Sequence, residues 1–397
     1  MRKYISIFLI SIFIIYFGLG YYVYSQAVAT TCSVYEPEAK NAPDSFSLGE
    51  KANWNPSKYF VSDYEDVEIK TEDGITLSGW YMESDPGAIT IIGMHGVTSS
   101  KFSPDVLLVG GMLYNEGFNY LTFDFRDHGT STCEDSRHSA GQKEIYDVKA
   151  SIEWLKNEKN IPTSNIGIYG ASFGAMIGLM TPAVTNDFQA LAVVDSPFDF
   201  ASLVSEELVY QGFPGFLFQP VYHYALIFDQ INLTEISPDD GLAASNKQPL
   251  LICTSGGGMR MQASMISLSQ MPRSILAINE LKKHNLPYLV LFTDPTAGGI
   301  TASYAMVGDI HIAEPGALIA FAGARVIQGT VNEQLPPGFQ KSEYLEKSGF
   351  VDLIVDRKDL SSKIGTLLSI LLKQNSAISS EQNETSEDSQ SLTRAAS

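Results

Sequence analysis

The chain has 397 residues, 44% of them hydrophobic and 18% charged, which is enough apolar material for two domains with cores of their own. A formal net charge of −19 excludes a nucleic-acid-binding surface, because phosphate binding needs a basic face. Cys32, Cys133 and Cys253 stand far apart with no CxxC spacing, so neither a zinc ribbon nor a disulfide framework is expected, and the histidines show no HxxxH or HExxH spacing to suggest a metal site.

Arg2 and Lys3 precede an uncharged run from Tyr4 to about Tyr24, the length needed to cross a bilayer. Tyr21, Tyr22 and Tyr24 suit an interfacial belt. The run is read as a single-pass anchor, residues 1–24, with its N-terminus cytoplasmic and the remainder extracytoplasmic. The rival reading is a signal peptide cut after Ala27-Val28-Ala29.

Residues 25–60 are polar and read as a linker. Two strands follow, Val67–Lys70 and Thr76–Tyr81, turned at Asp73-Gly74. Strands are then expected at Ala88–Met94, Tyr120–Phe125, Asn165–Tyr169 and Ala190–Asp195. Helices are expected at Asp105–Glu116, at Lys143–Glu158 and onward from Ser172. This alternation predicts a parallel, doubly wound sheet. Phe198 to about Ser245 is aromatic-rich and less regular, as a cap over a pocket would be. A long amphipathic helix is expected at Gln262–Lys283, then Gly-rich turns, and a polar tail over 374–397 that reads as disordered.

Gly170-Ala171-Ser172-Phe173-Gly174 is a G-x-S-x-G elbow that follows an apolar strand and opens a helix. His95-Gly96 closes one strand, and Asp124-Phe125-Arg126-Asp127-His128-Gly129-Thr130-Ser131 ends the next. Together these motifs make residues 60–250 resemble the α/β-hydrolase superfamily, in particular its membrane-anchored esterase- and peptidase-like members. The resemblance implies Ser172 as nucleophile, with the amides of Val97 and Phe173 as oxyanion donors. His95 and His128 are read as fixing their loops. The acid and histidine that should follow the serine are missing. After Pro249–Ile252 the chain reads Cys253-Thr254-Ser255-Gly256-Gly257-Gly258-Met259-Arg260, and the later histidines are His284 and His311. Asp195 or Asp199 could supply an acid, but no base follows.

From about Gln248 the sequence changes character. Ser255-Gly256-Gly257-Gly258-Met259-Arg260-Met261-Gln262, Thr293-Asp294-Pro295-Thr296-Ala297-Gly298-Gly299-Ile300, Ile312–Arg325 and Leu335–Gln340 run in register with one family. Residues 248–373 resemble the C-terminal part of the acetyl-CoA carboxylase carboxyltransferase β subunit. One extra residue in the first motif and Ala263-Ser264 after it depart from the family pattern, and the family's zinc ribbon and first superhelical turns are absent.

The resemblance implies a crotonase-like superhelix and carboxyl transfer from carboxybiotin to acetyl-CoA, with no metal and no covalently bound cofactor. It also implies two partners, a carboxyltransferase α subunit and a biotin carrier protein. Gly256 and Gly257 are the candidate oxyanion amides, Gly298 and Gly299 candidate substrate-binding turns that open a second helix, and Arg260 and Arg325 candidate phosphate partners. The expected fold is thus α/β in two parts, a truncated hydrolase sheet over 61–247 and a partial ββα superhelix over 248–373, behind one transmembrane helix. The expected function is a carboxyltransferase component making malonyl-CoA for fatty acid synthesis, fused to a serine-hydrolase-like part. The alternatives are an anchored hydrolase, or a chimeric chain inactive in both halves. The two halves conflict in place: the anchor sends the hydrolase outside, whereas CoA thioesters and the biotin carrier are cytoplasmic.

Overall fold

The structure, a computed structural model, describes residues 2–30, 32, 41–49, 54–194, 196–197, 200–245, 250–256, 264–283, 285–331 and 334–371. The chain divides into two compact units. The first runs to Cys253 and includes one later helix; the second holds Thr254–Gly256 and the chain from residue 285.

In the first unit, helix α1 (Arg2–Ala27) is followed by strands β1 (Glu65–Lys70) and β2 (Thr76–Met82), antiparallel with Ile69 opposite Leu77. Then come β3 (Thr90–Met94), α2 (Pro104–Asn115), β4 (Asn119–Phe123), α3 (Glu144–Glu158), β5 (Ile166–Ala171), α4 (Phe173–Met180) and β6 (Ala190–Val194). Two cap helices, α5 (Phe200–Tyr210) and α6 (Phe218–Tyr224), precede α7 (Pro238–Ala244), β7 (Leu250–Gly256) and α8 (Ser264–Lys283). The strands lie in the order β1-β2-β4-β3-β5-β6-β7, parallel from β4 onward. This is the doubly wound arrangement that the alternation predicts, with β1 to β6, α2 and α3 within two residues of their expected bounds. Every residue of β4 is buried, as a strand covered on both faces requires. Helix α3 buries Ile145, Val148, Ile152 and Leu155, one stripe at helical spacing.

Helix α8 stands beyond residue 248, yet it packs in this first unit against α7. It buries Ser274, Ile278 and Leu281, which lie on one helical face.

Buried charges in this unit are paired or hydrogen-bonded, as desolvation demands. Lys101 Nζ reaches Asp124 (3.1 Å), Ser78 Oγ (2.7 Å) and Thr130 Oγ1 (2.6 Å). Arg126 takes Asp147 through Nε (2.9 Å) and Nη2 (2.6 Å), and Asp73 through Nη1 (2.6 Å). The motif Asp124–Ser131 is therefore a scaffold: its acids and its arginine are spent on holding loops.

One expectation fails. Cys32 and Cys133 form a disulfide, with Cα atoms 5.9 Å apart and a sequence separation of 101. Spacing says nothing about such a pair, because the fold alone brings them together. The neighbouring backbone is stitched to the same loop: Thr30 N donates to Ser136 O (3.0 Å) and His138 N to Val28 O (2.9 Å). Residues 28–30 and 32, expected in a linker, thus belong to the packed unit.

In the second unit β8 (Tyr288–Ala297) pairs in parallel with β9 (Ile310–Ala313) over Leu289–Phe292 and with β10 (Ile319–Ala320) over Thr296–Ala297. Helices α9 (Ala324–Val331) and α10 (Ser342–Lys347) follow, and β11 (Leu353–Ile354) pairs in parallel with β9. The run Tyr288–Phe292 is wholly buried and forms the centre of this unit. Thr254, at its N-terminal edge, is held by Thr293 Oγ1 (2.7 Å) and Thr296 Oγ1 (3.0 Å), both donating to its carbonyl. Arg357 forks onto Glu314 at 2.5 and 2.8 Å.

Candidate active sites of the two units

Ser172 stands between β5 and α4 with φ +53° and ψ −119°, a backbone conformation strained for a residue with a Cβ. The turn holds because Ser172 N donates to Val194 O (3.0 Å) and its carbonyl accepts from Met176 N (3.1 Å). The flanking glycines are needed for close approach. A Cβ on Gly170 would lie 2.4 Å from the Gly174 carbonyl oxygen, and one on Gly174 2.7 Å from the carbonyl oxygens of Met94 and His95. Gly96 opposes the serine: a Cβ there would come 3.7 Å from Ser172 Oγ.

Ser172 is exposed and lines a cavity of about 510 Å³ together with Val97, Phe173, Met176 and His138. The fold thus brings the three hydrolase candidates, Ser172, Val97 and Phe173, to one place. It does not bring them a base. Among the described residues no hydrogen bond reaches Ser172 Oγ. His95 is buried, with Nδ1 donating to Gly96 O (2.8 Å) and Nε2 accepting from Phe125 N (3.1 Å). His128 is buried with Nδ1 on Arg126 O (2.8 Å). Both fix loops. Asp195, Asp199 and His284 lie outside the described residues.

His138 is the residue that sequence order conceals. It precedes the serine, where this fold's histidine is not sought, yet it lines the cavity and its ring lies 4.9 Å from that of Phe173. Its nitrogens are already committed: Nδ1 accepts from Ala140 N (3.0 Å) and Nε2 donates to Ala27 O (3.1 Å). Burial brings its pKa down to about 4, so it is neutral at pH 7.

In the second unit, Gly256 ends β7, and a Cβ on it would come 2.8 Å from Ile300 Cδ1. Gly257 and Arg260 lie outside the described residues. Gly298 has φ +70°, and its amide donates to Ala320 O (2.9 Å) and Phe321 O (3.2 Å). The expected second helix is absent at this point; 298–303 are turns, followed by a short 3₁₀ stretch, Tyr304–Val307. The Gly298 carbonyl accepts from both Ala302 N (3.1 Å) and Thr301 Oγ1 (2.8 Å), so a single helical turn forms and is not continued. Arg325 is exposed on α9.

Comparison with known proteins finds similarity in both halves. The profile of the Prolyl oligopeptidase family matches residues 110–262, and that of the Carboxyl transferase domain matches residues 227–395. The acetyl-coenzyme A carboxylase carboxyl transferase subunit beta of Pelagibacter ubique is 76% identical over 155 residues, 39% of this chain and 50% of the relative. That of Hirschia baltica is 58% identical over 130 residues, 33% of this chain and 38% of the relative. Two family profiles thus match parts of this chain, each over less than half of its length. It spans half or less of the length of these curated relatives. Among solved structures, the esterase Pf2001 of Pyrococcus furiosus is 27% identical and covers 59% of this chain and 81% of its own, with a TM-score of 0.43, too low to bear on function.

Proposed function

We propose that the C-terminal segment is a partial carboxyltransferase β component of acetyl-CoA carboxylase, moving the carboxyl group of carboxybiotin to acetyl-CoA to give malonyl-CoA. The observation that carries this reading is the 76% identity over 155 residues to a named β subunit. In such a transfer acetyl-CoA loses a methyl proton, the enolate carbon attacks the carboxyl carbon as its bond to the biotin nitrogen breaks, and that nitrogen keeps the electron pair and takes up the proton. The enolate oxygen needs preorganised amides, the role assigned to Gly256 and Gly257. The turn at Gly298-Gly299 is assigned to substrate binding. The internally bonded Gly298 amide leaves shaping the turn to Gly298 and contact with substrate to Gly299. An α subunit and a biotin carrier are the required partners.

The test supplies purified α subunit and carboxylated carrier and follows labelled carboxyl into malonyl-CoA. Formation should exceed a control without the chain and fall well below that given by a whole β subunit. No product, where the whole β subunit gives product, would sink this reading and favour a catalytically inactive chimera.

A second reading has its own observation, the strained Ser172 on an apolar cavity. In it Ser172 is an esterase- or peptidase-like nucleophile, with Val97 and Phe173 amides as oxyanion donors. Without a base the hydroxyl is a poor nucleophile, so ester turnover should stay near background and Ser172→Ala should change it little. Turnover of about 1 s⁻¹ or more that this substitution abolishes would show that a base acts there.

We assign α1 to the membrane, with the hydrolase unit extracytoplasmic. The helix is long and apolar enough to cross, and the Cys32–Cys133 disulfide suits an oxidising compartment.

A further inference from the structure

Helix α1 carries more than an anchor requires. Its bare apolar part runs from Tyr4 to Ile15, twelve residues, which is about 18 Å at the helical rise. A bilayer's hydrocarbon core is roughly 30 Å thick. If α1 crosses it, the missing depth falls to the helix's second half, and that half is not bare. Tyr16 OH bonds His223 Nδ1 (2.7 Å), the Phe17 ring meets Phe228 (5.5 Å), and Tyr21 and Tyr24 meet Tyr224 (5.3 and 5.5 Å). Gly20 lets α6 approach; a Cβ there would lie 2.4 Å from Pro220 O. Nor is there slack below, since the backbone just after α1 is bonded to Ser136 and His138 and closed by the disulfide. The cap must therefore follow α1 into the lipid.

Its sequence allows this. From Val209 to Phe228 the chain has no Asp, Glu, Lys or Arg. Phe216 (70%), Ile227 (57%) and Phe228 (51%) are nonetheless exposed. An apolar patch of this kind, continuous with a membrane helix, is costly in water and favourable at the headgroup–acyl boundary. Tyr21, Tyr22, Tyr222 and Tyr224 supply the aromatic belt. The cavity at Ser172 has one wall from α1 (Leu19, Tyr22, Val23) and another from the cap (Leu203, Val204, Phe213).

The geometry points to a lipid-facing cavity: the cap from Val209 to Phe228 lies in the interfacial layer of the bilayer beside α1, and the cavity between them takes the acyl chain of a monoacyl membrane lipid. The exposed polar lining residues Gln26, Glu207 and Gln211 are placed to meet its headgroup. Binding of this kind does not rest on turnover at Ser172 and is tested apart from it.

The experiment uses the full chain in phosphatidylcholine nanodiscs. Phe216→Trp and Phe228→Trp, made separately, should add tryptophan emission that lipids brominated on the acyl chain quench about twofold. Met112→Trp, at an exposed position on α2, should add emission that they do not quench. A fluorescent sixteen-carbon monoacyl phosphocholine should bind, and Leu203→Trp, which fills the cavity from an exposed position, should weaken it about tenfold. Val204→Trp should do the same, provided that its thermal midpoint matches the parent. Met112→Trp, away from the cavity, should leave binding unchanged. The inference is overturned if both cap tryptophans emit as in water, if neither cavity substitution alters binding, or if intact mass shows α1 removed. A cap buried against a second copy, seen by cross-linking through Phe216, would also overturn it.

Discussion

Arg126→Met should destabilise the hydrolase-like unit by about 3–5 kcal/mol at pH 7.5, the largest effect expected of any single substitution here. Arg126 is 2% exposed, and it is the cation bonded to the side chain of Asp147, which is fully buried. Burial pushes the Asp147 carboxyl up from its ordinary value, and Arg126 opposes that. Methionine fills similar volume but leaves a buried carboxylate that must either stay unpaired or take up a proton. Two controls separate this cause from a packing defect. The difference between parent and variant should shrink at pH 5, where Asp147 can be protonated. Adding Asp147→Leu to Arg126→Met should recover much of the loss, because no buried charge then remains; Asp73, the other partner of Arg126, is exposed to water. Urea unfolding followed by circular dichroism measures all three. A loss that is the same at both pH values and is not recovered by the second substitution would show that the ion pair is not its origin.

His95 and His138 should each withdraw stability from the hydrolase-like unit between pH 6.5 and pH 4. His95 and His138 are fully buried, and burial lowers each from 6.5 to about 4; for His95 the neighbouring His128 adds to this. The sign follows from proton counting. Between those values the unfolded chain binds protons that the folded one refuses, so unfolding gains as pH falls. The stabilisation is complete above 6.5, declines through the interval and is gone below 4. At 1.36 kcal/mol per pKa unit each histidine contributes on the order of 3 kcal/mol over that span. The raised Asp147 carboxyl works in the opposite sense, gaining stability as pH falls, so the histidine share is read as a difference between chains. His138→Gln should remove its share of the acid-side loss, on the order of 3 kcal/mol over the interval. Glutamine can still donate to Ala27 O, which limits the packing cost. A profile that this substitution leaves unchanged, with folded chain at both ends, would mean that the ring is protonated in the folded state.

The chain spans half or less of the length of the β subunits it matches. Phe321 and Phe350 are exposed in the second unit, and each borders an apolar cavity of about 230 Å³.

The sequence by itself determined what local backbone chemistry can determine. Alternating apolar strands and helical stretches place β3 to β6 and their helices, because side-chain period reports which face is buried. Gly170 and Gly174 around Ser172 announce an elbow, because only small residues permit backbones to approach to the distances found there. The uncharged run after Lys3 announces a helix fit for lipid. The long motifs from Ser255 to Gln340 announce a family. What remained hidden was every relation between distant residues. Cys32 and Cys133 carry no mark of their pairing across 101 residues. His138 stands on the wrong side of the serine in sequence, and only the folded loop sets it in the Ser172 cavity. Helix α8 reads as carboxyltransferase-like and packs with the hydrolase-like unit, because a buried stripe of Ser274, Ile278 and Leu281 takes whichever apolar face lies nearest. The union of α1 with the cap was equally illegible. It rests on Gly20 meeting Pro220 and on rings that approach across some two hundred residues, and such contacts exist only once the tertiary structure has brought their surfaces together.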